Sequence, residues 1–254
     1  GKKPWGTICK DNRFYHFNLK YMNNNEFTPP PMSYQLGGNF DPTSVDQERV
    51  VLLGLVIDRS GSTSTYEREF NEKLQEFLRE EQKSHIADEL FFQLTTFGSD
   101  VTIDSGWQPV VGFDTTKTLF KNSGDYTAGY DAVRISLESM LSYGKDLRRN
   151  GTDVRYNLCI VTDGWFNEGN DRDGQSVRNI LKTIKSDEGL YGKFTIFMYG
   201  VGDPSIFEPT RQALTIEPSG MLTTGATGKD FKAMLKSVSQ SVSKSSSGTA
   251  VPNF

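Results

Sequence analysis

Histidine and cysteine are nearly absent, with two of each in 254 residues. Neither His16 nor His85 stands in a His-Glu-x-x-His context, and no Gly-x-Ser-x-Gly elbow occurs, so zinc-protease and serine-hydrolase chemistry lack sequence support. Cys9 and Cys159 lie far apart. Cys159 falls inside an apolar run, where a small buried thiol is the common case. No disulfide is therefore expected, which points toward a reducing, cytoplasmic compartment. Basic residues are not in excess: 28 Lys and Arg face 32 Asp and Glu, for a net charge of −4. The basic domain or stripe of a nucleic-acid binder is missing. No stretch reaches the roughly 18 apolar residues of a membrane span, and the first residues show no signal-peptide core. A leader removed beforehand would place the protein outside the cell instead.

What is present reads as one α/β domain with an extension. Apolar residues make up 35% without glycine, and the 24 glycines bring the share near that of ordinary globular chains. Residues 1–48 combine an aromatic cluster (Phe14, Tyr15, Phe17, Tyr21) with Asn23-Asn24-Asn25 and Pro29-Pro30-Pro31, predicting irregular structure around one short hairpin. Residues 49–245 alternate strand and helix patterns, and 246–254 form a flexible tail. Continuous apolar runs predict buried strands at 50–57, 91–97, 101–104, 156–162 and 194–201, with a short one near Met221-Leu222. Helical stripes run through Phe70, Leu74, Phe77 and Leu78, through Val133, Leu137 and Met140, through Val177, Ile180, Leu181 and Ile184, and through Phe231, Met234, Leu235, Val238 and Val242. This order implies a Rossmann-like, mainly parallel sheet covered on both faces, with 101–104 as an antiparallel edge strand.

The chemistry concentrates where strands give way to loops. The run Val50 to Ile57 ends in Asp58-Arg59-Ser60-Gly61-Ser62, which sets one carboxylate and two hydroxyls on a single loop. Hard oxygen ligands of this kind suit a divalent cation such as magnesium, but the triplet alone reads equally as a serine-rich turn capping the next helix. A second apolar run, Tyr156 to Thr162, ends in Asp163-Gly164. Between them, Ser123-Gly124-Asp125-Tyr126-Thr127-Ala128-Gly129 forms a glycine-rich loop ahead of a helix. In an open α/β sheet the strand C-termini gather along one edge, where ligands bind, so the three loops can converge.

Together these loops resemble the von Willebrand factor A (VWA) family and its metal-ion-dependent adhesion site. That site's Asp-x-Ser-x-Ser corresponds to Asp58, Ser60 and Ser62. Its threonine, followed five residues later by a small residue, corresponds to Thr127 and Ala132, and its Thr-Asp-Gly to Thr162, Asp163 and Gly164. The resemblance covers roughly residues 49–245. It implies that Ser60, Ser62 and Thr127 bind the metal through hydroxyls, with Asp58 and Asp163 acting directly or through water. Magnesium is the expected ion, with manganese or calcium as alternatives. One coordination position would stay open for an Asp or Glu of a partner protein, bordered by an aromatic rim of Tyr66, Tyr126, Trp165 and Phe166. Two stretches, Thr96 to Val101 with Val110-Val111-Gly112-Phe113, and Phe231 to Ser243, are similar to the bacterial tellurium-resistance TerY-type branch, whose members accompany stress and defence systems. The long N-terminal extension and an enlarged stretch from Tyr143 to Arg155 depart from it.

The expected function is thus non-enzymatic: a metal-dependent protein-binding module. A metal-dependent hydrolase or phosphotransferase using the same cation is the competing reading, in which Asp125 or Asp131 near Thr127, or a folded-in His85, would have to serve as base. In a third reading the metal is structural and the extension binds the partner. Other motifs fail on inspection. Gly220 and Gly225 have phosphate-loop spacing, but Ala226 stands where a lysine is needed. Asp171-x-Asp173-Gly174 lacks the first and last oxygens of a calcium loop, with Gly169 and Ile180 in those places. Asn150-Gly151-Thr152 is a formal glycosylation sequon that reads as a turn.

Overall fold

The computed structural model describes residues 5–10, 13–18, 40–119, 121–122, 126–166, 168–214, 220–225 and 228–246. In the extension, β1 (Trp5–Lys10) and β2 (Arg13–Asn18) form an antiparallel hairpin. The tracts Asn23 to Asn25 and Pro29 to Pro31 lie outside the described residues, as do Asp125 and residues 247–254 of the expected tail, while Ser246 ends the last helix.

The main body is a six-stranded sheet: β3 (Arg49–Asp58), β4 (Leu90–Phe97), β5 (Val101–Pro109), β6 (Asp153–Thr162), β7 (Phe194–Val201) and β8 (Gly220–Gly225). Their order across the sheet is β5-β4-β3-β6-β7-β8, with β5 antiparallel at one edge. Among the described residues six α-helices accompany it: α1 (Glu67–Glu81), α2 (Gly129–Arg149), α3 (Gln175–Ser186), α4 (Glu188–Tyr191), α5 (Pro204–Leu214) and α6 (Gly228–Ser246). The alternation of β3 side chains divides the core in two. Val50, Leu52 and Val56 join the cluster under α2 and α3, while Val51, Leu53, Leu55 and Ile57 join the one under α1 and α6. Both faces of the central strands are dry, which is why those strands read as unbroken apolar runs.

Several boundaries differ from expectation. β5 continues to Pro109 rather than stopping at 104, because its register with β4 shifts between Phe92 and Leu94 and again at Thr95, a bulge that a strict period of two hides. β6 begins at Asp153, where Arg49, Arg155 and Lys193 surround one carboxylate. The enlarged stretch after Tyr143 is the last turns of α2 and the start of β6. There Asn150 donates to the carbonyl of Pro42 at 3.0 Å, so the sequon is a helix-ending turn. Helix α5 was not expected, because Pro209 inside it removes a backbone donor and argues against a helix. Gly220 and Gly225 are the two ends of strand β8, not a phosphate loop. Asp171 accepts from Gln175 N, Ser176 N and Ser176 Oγ and so ties the preceding turn to the start of α3, whose N-cap is Gly174. Cys159 is buried as a free thiol.

Where α1 meets α6, Glu81 is buried, and desolvation holds its carboxyl above the ordinary 4.5, with the Ser239 hydroxyl and His85 opposing and Glu80 reinforcing. A raised value means the charged form is disfavoured in the fold. The cost is present at neutral pH and disappears as pH falls through the native value toward the unfolded one. Glu81→Gln is therefore expected to raise stability at pH 7 by on the order of 1 kcal/mol. The advantage should shrink toward pH 4, and denaturant unfolding at both pH values checks this. An equal gain at both would show that ionisation of Glu81 is not its source.

Candidate metal centre

The sheet order reverses between β3 and β6: the chain leaves β3 toward β4 and β5, then returns to β6 on the other side. Loops leaving adjacent strands in opposite directions open a crevice at their C-terminal ends, where ligands bind in such sheets. Asp58 ends β3 and Asp163 follows β6, and the pairing of Ile57 with Val161 brings the two ends level. A short 3-10 turn, Gly61–Thr65, then leads into α1.

Asp58 is 1% exposed. Its Oδ1 accepts from Ser60 N at 2.8 Å and its Oδ2 from Thr162 Oγ1 at 2.7 Å. Ser60 Oγ lies 3.2 Å from Ser62 Oγ, which donates to Asp163 Oδ1 at 2.8 Å. Four of the five sequence-named ligands therefore form one continuous network across two loops. Thr127 is buried directly ahead of α2, and its carbonyl accepts from Glu168 N at 3.2 Å, which ties the second loop to the third. The neighbouring Ala128 N donates to Gly98 O at 2.7 Å, fixing the same loop to the end of β4.

The electrostatics of the pair are unfavourable without a cation. Burial pushes the Asp58 carboxyl up to about 6 against the hydrogen bonds from Ser60 and Thr162, and the nearby Asp163 adds to the rise. Burial also raises Asp163, with the Ser62 hydroxyl opposing. Among the described residues, no basic side chain contributes to either shift. Arg59, next in sequence, instead pairs with Asp100. A buried and a half-buried carboxylate with hydroxyl neighbours and, among the described residues, no counter-ion are a donor set that a hard divalent cation satisfies. The residues present fit the ion.

Around this centre the four aromatic residues separate. Tyr126 is 66% exposed and Trp165 59% exposed. Tyr66 stacks on Phe70 at 5.6 Å and is partly buried against the core. Phe166 is a correction to the rim reading: at 1% exposure it lies edge-on to Phe97 at 5.5 Å and to Tyr130 at 5.1 Å. Its placement follows from its partners, since three aromatic rings meet beneath the loop and the neighbouring Trp165 takes the outward side. Ile206, in the first turn of α5 after β7, is a further exposed apolar side chain that sequence reading did not flag.

Of the candidate bases, Asp131 is engaged and His85 distant, while Asp125 lies outside the described residues. Asp131 is buried, accepts from Asn170 N at 2.6 Å and faces Arg134. It fastens the third loop to α2, and Gly169, at φ +104°, lets the backbone pass close to its carboxylate. His85 lies in the turn before β4 begins, at the sheet edge opposite the strand C-termini. Sequence reading missed Asp131's fastening role and the bond that makes Thr162 the orienting partner of Asp58. The Thr-Asp-Gly motif contained the second signal.

No family model matches the chain, and no curated protein matches it in sequence. In three dimensions it is similar to the PilB minor pilin of Streptococcus sanguinis, with a TM-score of 0.56, 9% identity, and 80% of this chain and 63% of that one covered. It is also similar to the vWF domain of the type V pili tip protein Mfa5 from Porphyromonas gingivalis, with a TM-score of 0.55, 11% identity, and 77% and 95% covered. For the pilus adhesin SpaC of Lactobacillus rhamnosus GG in its open conformation, the TM-score is 0.54 at 14% identity, with 77% and 30% covered. The chain thus spans less than two thirds of the minor pilin and under a third of SpaC. The likeness is one of fold: a VWA-type α/β domain with a mixed sheet and one antiparallel edge.

Proposed function

We propose that this domain binds a protein partner through a divalent cation held by Asp58, Ser60, Ser62, Thr127 and Asp163. The observation that carries this reading is the pairing of buried Asp58 with half-buried Asp163, linked through Ser60 and Ser62, at the switch point of the sheet. When bound, magnesium supplies a positive centre with a coordination position open to an acidic side chain of the partner. Hydroxyl ligands neutralise little of that charge, so Ser60, Ser62 and Thr127 leave the attraction for an incoming carboxylate strong in a partly desolvated contact. Thr162 holds Asp58 in place through its hydroxyl. Trp165 and Tyr126 offer exposed aromatic surface beside the site, the residue types that anchor interfaces. The pilus proteins among the structural neighbours agree with an adhesive role. Among the described residues, Asp131 is committed to the loop backbone and His85 is remote, which favours binding over hydrolysis.

The partner is read as a protein offering Asp or Glu. Among the described residues no helix is long and apolar enough to cross a membrane. The TerY-type stress-response branch and a cytoplasmic location rest on the sequence stretches and cysteine usage alone.

Metal affinity carries the test. The cation binds ionised carboxylates, and the Asp58 carboxyl titrates at about 6 in the metal-free protein. Affinity is therefore level well above that value and falls by about tenfold per pH unit below it, as one proton competes. Titration calorimetry with magnesium at pH 7.5, 6 and 5 reads this directly, and a pull-down with and without chelator shows whether the same ion holds the partner. Equal affinity at pH 7.5 and pH 5 would remove Asp58 from the ligand set. A partner retained in chelator would move attention to the extension.

A further inference from the structure

The segment from β5 to α2, which carries the second metal loop at its end, is fastened along one side of α1 by side chains. Gln82 Nε2, just after the helix, donates to the carbonyls of Val110 at 2.9 Å and Phe113 at 2.8 Å. Gln75 Nε2 donates to Lys117 O at 2.8 Å. Asn71 Oδ1 accepts from Leu119 N at 2.8 Å, while its Nδ2 donates to Glu67 O at 2.9 Å. Glu67 Oε2 then accepts from Asn122 N at 2.7 Å. Residues 67, 71 and 75 recur at the four-residue spacing that lines up one helix face, and 82 extends the row. These are polar groups in a helix otherwise read by its apolar stripe, and each meets a loop backbone group.

Asn122 closes the row onto the metal site. Its Nδ2 donates to the carbonyl of Ser60 and to Thr63 Oγ1, the latter at 3.1 Å. Thr63 Oγ1 in turn donates to the same Ser60 carbonyl at 2.8 Å. One amide thus joins the loop bearing Ser60 and Ser62 to the segment that reaches Thr127 five residues later.

The geometry points to Asn122 and Glu67 as positioning residues of the metal centre: they lock the first and second loops in the arrangement that binds the cation, without ligating it. This rests on the metal-binding reading above. Metal loops left unfastened would have to be ordered at the moment of binding, and that entropy is subtracted from affinity. Loss of a contact that orients metal ligands typically costs 10- to 100-fold in affinity.

The test uses the full chain and two readouts. By calorimetry, Asn122→Ala should weaken magnesium binding by about 10- to 100-fold. Asn122→Asp should weaken it as well, because the donor facing the Ser60 carbonyl is gone. If charge near the ion were all that mattered, the added carboxylate would instead strengthen binding and overturn the proposal. Glu67→Ala should weaken binding, while Glu67→Gln, which keeps an acceptor for Asn122 N, should restore it. Equal weakening by the two would assign Glu67 to charge rather than latching, and so overturn its part. The second readout is amide hydrogen exchange in chelator, where Asn122→Ala should speed exchange at residues 62–66 and 126–128 and leave β3 and β6 unchanged. If the wild type binds no magnesium, the metal reading fails, yet exchange still decides the latch. Unchanged exchange at both loops would overturn it.

Discussion

Asp58→Ala is expected to abolish magnesium-dependent partner binding, by about 100-fold or more, given that loss of even an orienting contact costs 10- to 100-fold. The metal-free protein should keep its melting temperature within a few degrees. Two opposing effects produce that second result. The variant loses two hydrogen bonds, from Ser60 N and Thr162 Oγ1, each worth about 1 kcal/mol net. It also removes a carboxylate at 1% exposure whose burial holds its titration near 6, so a desolvated charge no longer has to be accommodated at neutral pH. Metal changes the comparison. Magnesium at a hundred times its dissociation constant should stabilise the wild type by about 2.7 kcal/mol and the variant by nothing. Thermal melts with and without magnesium, run beside the pull-down, separate a lost ligand from a damaged fold. A variant that still retains the partner only in magnesium would exclude Asp58 from the bridge, and Asp58→Asn serves as the second probe because it keeps the side chain's shape.

Much of this site could be read from the chain because its parts are local. Asp58, Ser60 and Ser62 lie within one turn after an apolar strand, and Asp163 follows another, so strand ends alone place them on one edge of a parallel sheet. The bond between Ser62 and Asp163 follows from that placement. The paths of intervening segments were less legible. Asn122 reaches Ser60 across 62 positions, a contact that no spacing announces. Helix α5 was hidden by Pro209, and the length of β5 by its bulge. In each case local rules were overruled by tertiary packing. Asp131 shows a related limit: a carboxylate beside a metal loop looks like a rim or base until its backbone partner, Asn170 N, is known.

The sharpest division between binding surface and scaffold falls between two neighbours. Phe166→Ala should cost about 3–5 kcal/mol, the usual range for truncating a buried phenylalanine, and lower the melting temperature by roughly 5–15 °C. Its ring fills the space between Phe97, Tyr130 and the first residue of α2, where a Cβ added at Gly129 would overlap it. Because Gly129 follows Thr127 by two residues, the cavity would loosen the second and third metal loops together, and magnesium affinity should fall alongside stability. Trp165→Ala should do the opposite. At 59% exposure its indole has little packing to lose, so stability and magnesium affinity should stay at wild-type levels. Partner affinity should drop by about 30-fold or more if the ring is an interface anchor, since truncating such an anchor costs about 2 kcal/mol or more. Calorimetry with magnesium, thermal melts and partner binding on both variants separate the two roles. If Trp165→Ala leaves partner affinity unchanged, the partner approaches from another side of the cation, and Tyr126 or Ile206 becomes the next residue to truncate. If Phe166→Ala leaves stability unchanged, the aromatic cluster beneath the loop does not hold the metal site in place.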